Sequence, residues 1–100
     1  MILLSALLGS QNAEKVLLFL LVNESCYATE LQKIYGIPLT PLQSILNKFE
    51  KIDVLLSEQR GKIKLYRFNP SYPFLEELKA LVKKAFLHLS PEEKRVVLSR

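Results

Sequence analysis

The sequence predicts a mainly α domain carrying one small β-hairpin, an α+β arrangement. Three observations predict it. Apolar residues recur at helical spacing over Ala28–Tyr35, Thr40–Ile52 and Phe74–Leu89. Hydroxyl and proline pairs at Thr40-Pro41 and Ser90-Pro91 read as helix starts. The turn Gln59-Arg60-Gly61-Lys62 separates a run Val54–Glu58 from a run Ile63–Phe68 rich in β-branched and aromatic residues. With 100 residues, 49% of them hydrophobic, the chain is expected to form a single domain over 1–100 with one buried core.

In chain order, residues 1–8 are almost wholly apolar and read as a short N-terminal helix that something must cover. They lack a basic leader and a small-residue cleavage site, so no signal peptide is expected. Ser10 or Asn12 can cap the next helix, read over Ala13–Val22, with Glu14 favoured in its first turn by the helix dipole. Its apolar run Val16–Val22 is far short of the roughly 20 residues a membrane span needs, so a soluble, cytoplasmic protein is expected.

Cys26-Tyr27 reads as a short extended piece. In Ala28–Tyr35, Leu31, Ile34 and Tyr35 mark one face of a two-turn helix, and Gly36 supplies the positive φ that ends it. Pro38 keeps Ile37 out of the α region. Thr40-Pro41 then opens a helix over 40–52 whose buried stripe is Leu42, Ile45, Leu46, Phe49 and Ile52. Asp53 is placed to end it. The hairpin follows, then the rigid connector Asn69–Pro73. Phe74–Leu89 reads as a long helix. Its Leu75, Leu78, Val82, Ala85 and Leu89 step 3, 4, 3, 4, the seam of a short coiled coil. Ser90-Pro91-Glu92-Glu93 starts a last helix over Pro91–Ser99.

Two helices joined by a short glycine-containing turn, the second followed at once by a basic hairpin, have the layout of a winged helix-turn-helix. Charge supports it. Residues 47–67 carry six basic and three acidic side chains, whereas residues 1–46 carry two and three. On the recognition helix the outward residues are Thr40, Pro41, Gln43, Ser44, Asn47, Lys48 and Lys51. Gln43 and Asn47 share a face, and both residue types pair bidentately with adenine. Ser44 suits a base or a phosphate, and Lys48 and Lys51 suit phosphates. The wing, 59–67, carries Arg60, Lys62, Lys64 and Arg67 within eight residues and no acid among them. Like charges that close are relieved by an anion.

The run Glu30–Glu50, followed by the hairpin, resembles the ArsR-like group of prokaryotic winged-helix transcriptional regulators. Leu65-Tyr66-Arg67-Phe68-Asn69-Pro70 is similar to the end of the wing in a branch whose members occur beside nucleotidyltransferase domains. The resemblance covers roughly 9–86. It implies a dimeric regulator whose fourth helix reads double-stranded DNA. Metal-sensing members carry paired cysteines on the preceding helix. Here that helix begins Ala28-Thr29-Glu30-Leu31-Gln32-Lys33, so metal sensing is not implied. Asp53 stands where the family usually has glycine.

A homodimer is expected through residues 1–8 and the C-terminal helices of 74–100, with Leu3, Leu4, Leu7, Leu75, Leu78, Val82, Ala85 and Leu89 as the contact. Five seam side chains burying about 60 Å² each would contribute about 7 kcal/mol per protomer before association costs. The competing reading, in which both helices fold back on their own core, uses the same residues. A winged-helix protein-interaction module is the second functional reading, and the acid-free wing argues against it. No enzyme, cofactor or metal is expected. Cys26 and His88 are the lone cysteine and histidine, and no nucleophile–base pair or phosphate-cradling glycine loop is present. The residues name no small-molecule effector.

Overall fold

A computed structural model describes residues 4–99. Its described elements are α1 (Ser5–Leu8), α2 (Gln11–Asn23), β1 (Ser25–Tyr27), α3 (Ala28–Tyr35), α4 (Leu39–Lys51), β2 (Leu55–Arg60), β3 (Ile63–Phe68), α5 (Leu75–Leu87) and α6 (Pro91–Val97). The strands form one antiparallel sheet in the order β1-β3-β2.

α2 is the central rod. Ser10 caps it, its hydroxyl accepting the Ala13 N–H at 3.0 Å. Val16, Leu17, Leu18, Phe19 and Leu20 are all buried, so the helix is surrounded rather than laid on a surface. It ends at Glu24, whose φ of 71° is left-handed and whose N–H returns to the Leu20 carbonyl. Asn23 ties the last helix down, donating from Nδ2 to the Val97 carbonyl at 2.9 Å.

The extended piece at Cys26 is a third strand, with Cys26 opposite Tyr66. Three residues gave no pairing signal of their own; the partner, β3, lies some 40 positions away and supplies the ladder. α3 has the expected bounds. The Tyr27 N–H donates to the Glu30 carboxylate at 3.3 Å, and Gly36 adopts φ 68°.

α4 starts one residue earlier than expected. Pro38, not Thr40, is the capping residue, and no side-chain hydroxyl caps the helix. Pro41 is therefore its third residue. It is tolerated because the first four helical N–H groups have no intrahelical partner in any case. Leu42, Leu46 and Phe49 are buried and Ile45 partly so. Ile52 leaves the predicted stripe: it lies beyond the last helical residue and is 51% exposed. Asp53 takes φ 66°, and the Val54 N–H bonds the Phe49 carbonyl, turning the chain into β2.

The hairpin is longer and its loop tighter than expected. Arg60 pairs with Ile63, which leaves Gly61 and Lys62 as the whole loop. Gly61 adopts φ 63°, a conformation in which a Cβ is strained.

The largest correction concerns α5. It runs over Leu75–Leu87, with Phe74 outside it and 63% exposed. Leu75, Val82, Ala85 and Leu89 are buried in the chain's own core, Val82 completely, and Leu78 packs against that core. The seam expected to meet a partner instead packs on α2. A greasy central helix needs an apolar cover, and α5 is the nearest available one. Leu4 is also buried, whereas Leu7 is 71% exposed, and Leu3 lies outside the described residues. In α6, Ser90 and Glu93 form the expected capping box, with bonds of 3.1 and 2.9 Å.

The buried side chains form one cluster, and the Cα radius of gyration is 12.6 Å. Among the described residues no helix is long and apolar enough to cross a membrane.

Candidate nucleic-acid interface

α4 is held by Leu42, Leu46 and Phe49, and its opposite side is free. Thr40, Pro41, Gln43, Ser44, Asn47, Lys48 and Lys51 are all exposed. Gln43 and Asn47, one turn apart, face the hairpin across a groove of about 560 Å³. Gln59, Lys62, Ile63 and Lys64 form the hairpin wall, and Ala28 and Thr29 close the end contributed by α3. Tyr66 lines the floor, with its hydroxyl 3.5 Å from Asn47 Oδ1. Burial, reinforced by the nearby Glu50 charge, raises the Tyr66 phenol above its usual range. The phenol thus remains a hydrogen-bond donor at neutral pH.

Strand register separates Lys64 from Arg60 and Arg67, while Lys62 lies in the two-residue loop. Successive side chains alternate between faces. Gln59 pairs with Lys64 and Ser57 with Tyr66, so these four share the face toward α4. Leu56 pairs with Arg67, Glu58 with Leu65 and Arg60 with Ile63, so Arg60 and Arg67 lie on the opposite face. Of the four cations expected to act together, Lys62 and Lys64 line the groove and Arg60 and Arg67 do not.

The wing is also less cationic in space than in sequence. Arg60 Nε lies 2.8 Å from Glu58 Oε2, and that contact holds the Glu58 carboxyl below the usual carboxylate range. Lys64 Nζ lies 3.7 Å from Glu50 Oε1, while the other Glu50 oxygen accepts from the Ser57 hydroxyl. The first pair follows from a two-residue spacing on one strand and was open to view in the sequence. The second joins α4 to β3 and could not be read without the fold. Both pairs lie at the surface, so each contributes little to stability and its cation is readily given up to another anion.

Gln59 and Thr29 are groove residues that the sequence did not single out. Gln59 was assigned to the turn, and nothing around Thr29 marks it. Among the described residues no group of three or more His, Cys, Asp or Glu side chains converges as a metal site, and Cys26 is buried.

No protein-family model matches the chain, and no curated protein matches it. Among solved structures it is similar to the adhesin competence repressor AdcR from Streptococcus pyogenes. The sequences are 18% identical, the TM-score is 0.54, and the match covers 98% of this chain and 82% of that one. Mainly helical, with a small sheet and hairpin beside α4, the chain has a winged-helix fold.

Proposed function

We propose that the protein is a dimeric, sequence-specific DNA-binding transcriptional regulator. α4 enters the major groove, and the wing follows the phosphate backbone toward the minor groove. One observation carries the reading: an exposed polar helix face and a lysine-bearing hairpin wall line the same open groove. An α-helix matches the width of the major groove, about 12 Å. Gln43 and Asn47 then meet base edges, Ser44 a base or phosphate, and Lys48, Lys51, Lys62 and Lys64 meet phosphates. The resemblance to ArsR-like regulators and the fold shared with a repressor agree with this.

Dimerisation in this reading uses the outer side of α5, since the inner side is occupied. Leu81 on that side is 40% exposed, and Phe74, just before the helix, is 63% exposed. A two-fold dimer would place its recognition helices about 34 Å apart, one turn of DNA.

The ion pairs of Arg60 with Glu58 and Lys64 with Glu50 favour the second reading, a protein-interaction module. Salt dependence separates the two. A dimer neutralising about six phosphates gives a log–log slope of binding against salt near −5. Titration of labelled duplexes by anisotropy at several salt concentrations measures it. Absence of duplex binding at low salt removes the regulator reading.

A further inference from the structure

The side chains that line the groove beside α4 are sorted by chemistry. In the DNA major groove each base is matched by a different group. Guanine takes arginine or lysine, cytosine a carboxylate, adenine the amide of asparagine or glutamine, and the thymine methyl an apolar contact. Among the described residues no arginine and no carboxylate lines this groove. Arg60 and Arg67 lie on the opposite face of the sheet, and Arg95 is on α6. Glu50 is engaged by Ser57 and Lys64. The two lysines of the groove, Lys62 and Lys64, stand on the hairpin wall and not on the helix. What the helix itself offers the groove is two amides, Gln43 and Asn47, and one aliphatic chain, Leu39. The third amide, Gln59, is turned to the Gly61 carbonyl at 2.9 Å.

Asn47 is set for adenine. The Tyr66 hydroxyl donates to its Oδ1 at 3.5 Å, which leaves one oxygen lone pair and both Nδ2 hydrogens for a ligand. Adenine uses one of each, since its N7 accepts from an amide N–H and its N6 amino group donates to an amide oxygen. Gln43 repeats this chemistry four residues away, about 6 Å along the helix axis. That distance spans one or two base steps of about 3.4 Å. Building on the DNA-binding reading, we propose that the α4 face selects A·T pairs through the major groove. Gln43 and Asn47 each hold an adenine, the two lying one or two steps apart, and the half-buried Leu39 packs on a thymine methyl.

The test is anisotropy titration of the full chain, at one low salt concentration, with three labelled duplexes of equal length: mixed A·T, mixed G·C and mixed inosine·cytosine. Inosine lacks the 2-amino group of guanine. Its pairs therefore resemble A·T in the minor groove and G·C in the major groove. The A·T duplex is expected to bind at least tenfold more tightly than either of the others. Asn47→Arg, at an exposed position, supplies a guanine-type partner and is expected to cut that advantage at least fivefold. Equal binding of the three duplexes, or a preference for G·C, overturns the proposal and leaves the DNA-binding reading standing. So does an A·T preference that the inosine duplex shares, which would come from the minor groove, or one that Asn47→Arg leaves unchanged. Binding to none of the three removes both.

Discussion

The Tyr66 hydroxyl stands 3.5 Å from Asn47 Oδ1, linking the floor of the groove to the helix face that lines it. Tyr66 is 4% exposed and pairs across the sheet with both Cys26 and Ser57, so its ring is fixed. A fixed donor beside a mobile amide limits how that amide turns. Asn47 therefore presents its Nδ2 outward more often than a free asparagine would. Tyr66→Phe removes the donor and keeps the ring. The bond is long, so the stability loss is expected to be at most about 1 kcal/mol. Discrimination between operator variants is expected to fall, with little change in binding to random duplex.

The Lys64–Glu50 pair sets a second expectation. In the proposed DNA-binding reading, a phosphate displaces Glu50 to reach Lys64, so the carboxylate would oppose binding. Glu50→Gln keeps a partner for the Ser57 hydroxyl but drops the charge. Duplex affinity is expected to rise several-fold at low salt, and the gain should shrink as salt screens the groove. Anisotropy titration of both proteins measures it; an unchanged affinity would place Lys64 outside the interface.

Glu14 gives the fold a pH signature. Burial raises its pKa, so the native state holds its proton to higher pH than the unfolded chain does. Stability from this group is therefore greatest at pH below its unfolded value, and declines as pH rises through the folded value. Glu14→Gln removes that dependence. The variant is expected to melt higher than the wild type at pH 7, and the difference should vanish near pH 4. A variant melting lower at pH 7 would mean that the carboxylate is satisfied when ionised.

Val82 and Leu81, adjacent on α5, separate the core from the exposed side that the proposed dimer would use. Val82 is fully buried, and Val82→Ala is expected to cost about 2 kcal/mol by denaturant unfolding, independent of protein concentration. Leu81→Glu, combined with Phe74→Glu, is expected to leave the fold intact and give monomer by light scattering. An unchanged dimeric mass would move the interface away from this side of α5.

Much of this was legible in the chain. The bounds of α3, the left-handed Gly36 and Asp53, and the Ser90–Glu93 capping box follow from local chemistry, which a sequence displays directly. The exposed face of α4 follows from the spacing of Leu42, Leu46 and Phe49. What could not be read involved distant parts of the chain. An apolar seam looks the same whether it meets a partner or α2, because 3.5-residue spacing records one apolar side and not its occupant. Likewise the four wing cations are neighbours in sequence, yet strand alternation sends Lys64 toward α4 and Arg67 away from it. That division needed the register, which the two-residue loop at Gly61-Lys62 fixes.

The division also provides the most direct test of the groove as the DNA-facing surface. Charge reversal at Lys62 and Lys64 is to be compared with charge reversal at Arg60 and Arg67, by anisotropy on one labelled duplex at fixed salt. Both double variants change net charge equally, so a general field effect lowers affinity by the same factor in each. The groove account predicts a loss at least tenfold greater for the lysine pair. Equal losses, or a greater loss for the arginine pair, would contradict it.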